Sequence, residues 1–128
     1  MNNRSLDWLS QAENDLRWAQ DSLKSGHFSQ TCFIAQQIGE KALKALALSR
    51  GALSVRSHSI LLIAQELRIN GEIEKAAKLL DQYYIATRYP DAFADGAPFQ
   101  YFVHEQAMAA IVLAELILNF VKRTIANP

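Results

Sequence analysis

The chain has 128 residues, half of them hydrophobic and a fifth charged, with thirteen basic residues balanced by thirteen acidic ones. That length is one domain's worth of chain, large enough to bury a core without disulfides or metals. A net charge of zero argues against general nucleic-acid binding driven by phosphate neutralisation, while leaving room for a local basic patch.

The first helix is expected over residues 5–26. Leu6, Leu9, Ala12, Leu16, Ala19 and Leu23 recur at steps of three and four, with Trp8 at the edge of the stripe and Gly26 as the stop. Trp18 falls outside the stripe, either as a contact surface or as a ring folded over its own helix.

The second helix, Phe28 to Ser49, is the expected centre of the fold. Phe28, Cys32, Ile34, Ala35, Ile38, Gly39, Ala42, Leu43, Ala45 and Leu46 occupy about half of its circumference. An ordinary surface helix needs a stripe of only about 100°, so this one should touch several neighbours. A mid-helix glycine costs about 1 kcal/mol relative to alanine, so Gly39 predicts another backbone passing close by. Cys32, the single cysteine, lies on the apolar arc and reads as a buried, inert thiol.

A connector at 50–57 leads to a third helix over 58–70, with Ser57 as N-cap and Asn70-Gly71 as the stop. A fourth helix is expected over 72–87, with Ile73, Ala76, Ala77, Leu79, Leu80, Tyr83 and Tyr84 facing inward. Residues 88–102, RYPDAFADGAPFQYF, contain two prolines and five aromatic rings. They form a long loop that is held down by its own side chains, functional, or both. The last helix, 103–126, is apolar over more than half its circumference, and a homodimer interface is the economical use for that surface. Glu115, Asn119 and Lys122 interrupt it, so no membrane span is expected. The fold class is all-α, an up-and-down bundle of about five helices. Met1 to Asp7 is polar and no signal peptide is visible, so a cytoplasmic location is expected.

Catalytic signatures are few. No Cys or His pair has metal-ligand spacing, and neither a phosphate loop nor a G-x-S-x-G elbow is present, so no cofactor or metal is expected. Glu40 and Lys44 read as an i,i+4 pair on a solvated helix face. His58, two residues after Arg56 at a helix start, suggests an anion site; the plainer alternative has it packing against the bundle. Tyr83, Tyr84, Arg88, Tyr89 and Asp91 form a third cluster. There Asp91 braces Arg88, or the cation and rings face a nucleotide or a partner.

Four stretches, AENDLRWAQDSL, FSQTCFIAQQIGEKALKALAL, SHSILLIAQEL and LLDQYYIATRYPDAFADGAPF, resemble in content and order the HEPN domain (higher eukaryotes and prokaryotes nucleotide-binding). The resemblance implies a bundle of about five helices that dimerises. It also implies a two-part system of the toxin–antitoxin type, with a minimal nucleotidyltransferase as partner. Ribonucleases of the family carry an Arg, four to six residues, then a His. Here Arg50 and His58 are separated by seven residues, Arg56 and His58 lie too close, and Arg88 and His104 too far apart. The expected function is therefore a non-catalytic subunit that binds a nucleotide-like ligand, the nucleotidyltransferase, or both. A ribonuclease toxin with a diverged Arg/His site at His58 or His104 is the alternative. The AQQIGEK and TRYPDA segments resemble the family's recognition surface. Gln37 and Lys41 of the first, Lys44 one turn further along the same helix, and Arg88, Tyr89 and Asp91 of the second are expected to form one continuous face, joined by His58 and Tyr84 as further binding candidates.

Overall fold

The computed structural model describes residues 4–128; Met1, Asn2 and Asn3, part of the polar stretch read above as lacking a leader, lie outside it. Helix α1 (Ser5–Lys24) and helix α2 (Phe28–Ser49) form an antiparallel hairpin. Its turn is made by Gly26 at φ 79°, where the Gly26 and His27 amides close back onto the carbonyls of Leu23 and Ser22. A left-handed residue ending a helix this way satisfies carbonyls that would otherwise be orphaned. Leu6, placed by periodicity on the inner stripe, is exposed at the helix's first turn.

Helix α2 is the centre of the bundle. Fifteen of its 22 residues are buried, and it packs against α1, α3 (Ile60–Glu66), α4 (Glu72–Asp81) and α6 (His104–Ala126). Gly39 sits where three of these neighbours converge. A Cβ there would lie 2.8 Å from Ile60 Cδ1, 3.3 Å from Ile117 Cδ1 and 3.5 Å from Leu80 Cδ1. The glycine makes room for side-chain ends from α3, α6 and α4, not for the neighbouring backbone the sequence suggested.

Helix α3 is shorter than expected and starts two residues later. Ser59 is the N-cap, with Oγ accepting from the Leu62 amide at 3.2 Å, while Ser57 Oγ accepts from the Ser59 amide at 3.0 Å. A second cap comes from α4: the Asp81 carboxylate accepts from the amides of Ile60 and Leu61, each at 2.9 Å, and from Ser59 Oγ at 2.9 Å. These bonds occupy the N–H groups on which an anion site at this helix start would depend. At the other end Arg68 takes a left-handed φ of 59° and stops α3 four residues early.

The predicted fourth helix is broken at Gln82 into α4 and a one-turn helix, α5 (Tyr83–Ala86). The loop that follows contains two 3-10 turns, Pro90–Ala92 and Pro98–Tyr101. It is packed by its own rings: Phe93 stacks on Tyr101 at 4.5 Å and meets Phe102 edge-on at 6.3 Å, and Tyr101 Oη donates to the Asp95 carbonyl. Most of the apolar arc of α6 is spent inside the chain, where Ala107, Ala110, Ile111, Ala114, Ile117, Leu118 and Val121 are buried. What remains outside is chiefly Met108 and Val112. Among the described residues there are no strands, and no helix is long and apolar enough to cross a membrane.

Candidate functional site

The polar side of α2 is not solvated. Gln36, Glu40 and Lys44 are 0%, 3% and 5% exposed, and the Glu40–Lys44 pair closes at 2.9 Å within the protein. The sequence placed this pair on an open face because its spacing is ideal for a surface helix. The structure covers it with Trp8 of α1, whose ring centroid lies 5.4 Å from Lys44 Nζ, and with His58 of the connector. A buried ion pair keeps its charges only when they are compensated. Here Glu40 Oε2 accepts from Lys44 and lies 3.2 Å from His58 Nδ1, while Gln37 Nε2 reaches Glu40 Oε1 at 3.4 Å.

From Glu40 the site builds outward. Gln36 Nε2 donates to the His58 carbonyl at 3.0 Å and lies 3.3 Å from Asp81 Oδ1, pinning the connector to the bundle. The His58 ring, with its side chain 60% exposed, stacks on Tyr84 at 5.5 Å and 14°. With Glu40 ionised, Nδ1 is the donor, and Nε2 is the nitrogen left for a ligand.

Tyr84 also holds Arg88. The guanidinium carbon lies 4.7 Å from the Tyr84 ring, 4.5 Å from Phe33 and 5.0 Å from Tyr89, and Nε donates to the Tyr84 carbonyl at 3.0 Å. Arg88 is exposed and, among the described residues, forms no ion pair. The suggested brace from Asp91 is absent: Asp91 is exposed on the first 3-10 turn and makes no salt bridge to Arg88. The Glu40 charge is already matched by Lys44, so Glu40 is not a counter-charge for Arg88.

The structure thus links six of the eight candidates, Gln37, Lys44, His58, Tyr84, Arg88 and Tyr89, through one series of contacts. Lys44 enters it as a buried support and not as an exposed cation. Lys41 is turned away, bonded at 2.5 Å to the buried Asp15, which also accepts from Gln11. Phe33 was missed, although its position four residues before Gln37 puts it on the same side of α2. The roles of Gln36 and Asp81 in holding the connector carried no local signal, because the connector and α3 groups they bond are twenty or more residues away in sequence. Two further groups are shifted by burial: the buried Cys32 thiol is pushed up to about 12, and the half-buried Tyr83 is also raised, partly offset by a hydrogen bond with Gln106. Among the described residues no three His, Cys, Asp or Glu side chains gather as metal ligands.

Comparison with known proteins bears on the chain as a whole. The family model for the HEPN domain matches residues 5–124. The crystal structure of TT1696 from Thermus thermophilus is similar at 43% identity and a TM-score of 0.90, covering 95% of this chain and 98% of that one. The crystal structure of an archaeal HEPN homologue, ST0689, is 37% identical with a TM-score of 0.84, covering 98% and 99%. A HEPN domain protein from Thermotoga maritima is 28% identical with a TM-score of 0.75, covering 95% and 99%. A Methanocaldococcus jannaschii protein named "Putative toxin MJ1304" is 25% identical over 128 residues, spanning 90% of this chain and 84% of the relative.

Proposed function

We propose, from the premise that the chain belongs to the HEPN domain family, that it is the HEPN half of a toxin–antitoxin type of two-part system and binds a phosphate-bearing, nucleotide-like ligand on the face made by His58, Tyr84, Arg88 and Tyr89. The observation that carries this reading is the setting of Arg88, an exposed cation with no carboxylate partner among the described residues, held among three rings beside an oriented histidine. An arginine in such a setting offers a phosphate several donors, and the rings offer a base a stacking surface. The relation to a protein named as a toxin supports the system, and the family likeness supports a minimal nucleotidyltransferase as its other half. The same face serves as the contact with that partner if the nucleotide arrives bound to it.

The test is calorimetric titration of ATP into the full chain. Binding that is lost in Arg88→Ala with little change in melting temperature supports the reading; unchanged binding in that variant removes it.

One observation favours a second reading, a metal-independent ribonuclease. Although no Arg-to-His spacing in the sequence fits the family's motif, His58 and Arg88 meet on the same Tyr84 ring, and Glu40 orients the histidine. A base and a cation so placed suit attack by a 2′-hydroxyl on its phosphate. His104 has a ring neighbour, Phe28 at 5.6 Å, and among the described residues no carboxylate pairs with it. RNA cleavage without metal that disappears in His58→Ala would put this reading first.

A further inference from the structure

Where α2 ends and the connector turns toward α3 lies a cavity of about 440 Å³, within the range of small-molecule sites, and none of His58, Tyr84, Arg88 and Tyr89 is in its lining. Its floor is aliphatic, with Val55, Ile63 and Leu67 in the lining, and no aromatic ring borders it. Arg50, Arg56 and Glu66 also line it. Among the described residues none of the three is in an ion pair, although all share one cavity. The arginines are not needed to cap α2, because the carbonyls of Leu46, Ala47 and Leu48 already accept from the amides of residues 50–52. Arg50 instead reaches across to α3, with Nη1 at 3.4 Å from the Leu67 carbonyl. Helix α3 ends at this rim because Arg68 adopts a left-handed conformation that non-glycine residues rarely take, which leaves Glu66 and Leu67 facing the cavity.

We propose that this cavity binds a small aliphatic amino acid, independently of the nucleotide face. Two guanidinium groups suit a carboxylate, which they can grip through paired N–H donors. Glu66 supplies the opposite charge for an ammonium group on the same molecule. The aliphatic floor takes a branched side chain, and the missing rings remove the stacking surface that a nucleobase would use.

The experiment is calorimetric titration of the full chain with L-leucine, with 4-methylpentanoate, which lacks the amine, and with inorganic phosphate. Leucine is expected to bind saturably and more tightly than either of the others. Arg56→Ala should weaken leucine by about tenfold or more, as for a lost charge-assisted contact. Glu66→Gln should weaken leucine by a similar factor and leave 4-methylpentanoate unchanged. Arg88→Ala should leave leucine binding intact, which separates this site from the nucleotide face. Absence of saturable leucine binding, equal binding by Arg56→Ala, or phosphate binding as tightly as leucine would each overturn the proposal.

Discussion

His58 Nδ1 lies 3.2 Å from the buried Oε2 of Glu40, so the exposed imidazole is set by a carboxylate that solvent scarcely reaches. That oxygen also holds Lys44 at 2.9 Å, which ties the orientation of the site to an ion pair inside the bundle. Glu40→Gln would leave the Lys44 ammonium buried and uncompensated. The expected loss is roughly 3 kcal/mol of stability, measured by urea unfolding. Glu40→Gln combined with Lys44→Met should recover much of it, because the stranded charge is gone. A single variant as stable as the wild type would show that the pair is not holding this region together.

The cap that Asp81 places on α3 gives a second expectation. Asp81→Ala removes acceptors from the Ile60 and Leu61 amides and from Ser59 Oγ. It should cost about 1–3 kcal/mol. Amide exchange should speed up first in α3 and the connector that carries His58. Uniform exchange across all helices would mean that the cap has no local role.

Gly39→Ala pits helix propensity against packing. Alanine gains up to about 1 kcal/mol in a helix interior, but its methyl would meet Ile60 Cδ1 at 2.8 Å where α3, α4 and α6 converge. Overpacking should win, with a net loss of about 1–2 kcal/mol in thermal or chemical unfolding. Combining the change with Ile60→Val, which removes that Cδ1 atom, should return part of the loss.

Cys32 provides a pH prediction with a definite sign. Its thiol titrates at about 12 in the folded chain, against an ordinary value of 9.0, because it is buried. At pH 8 the folded chain scarcely populates the thiolate, so thiol reagents should modify the native protein far more slowly than the unfolded one. The unfolded thiol loses its proton first, so between about 9 and 12 the folded state holds more protons and stability falls as pH rises. Cys32→Ala should flatten that part of the stability curve, though removing a buried side chain also lowers the curve as a whole.

The sequence was most legible where periodicity and stop residues act together. Gly26 and the long apolar arc of α2 set the first hairpin, and the bounds of α2 match the expectation residue for residue. It was least legible where the deciding partner is distant. The start of α3 depends on Asp81, some twenty residues on, and no local capping rule favours Ser59 over Ser57 without it. The Glu40–Lys44 pair has the spacing of a surface pair, and only the arrival of Trp8 and His58 from other segments makes it a buried one. For the same reason spacing alone puts Lys41 and Lys44 on one open face with Gln37. Lys44 turns out to be a support, Lys41 a link to Asp15, and Phe33 part of the cradle around Arg88.

If one phosphate-bearing ligand occupies the face, His58 and Arg88 must both meet it. The most direct measurement is NMR of the histidine ring nitrogens and arginine Nε resonances while ATP is added to the full chain. Saturating shifts of His58 Nε2 and Arg88 Nε with one common affinity are expected, while Arg50 and Arg56 stay unmoved. Shifts confined to other residues, or none at saturating nucleotide, would contradict a nucleotide site here.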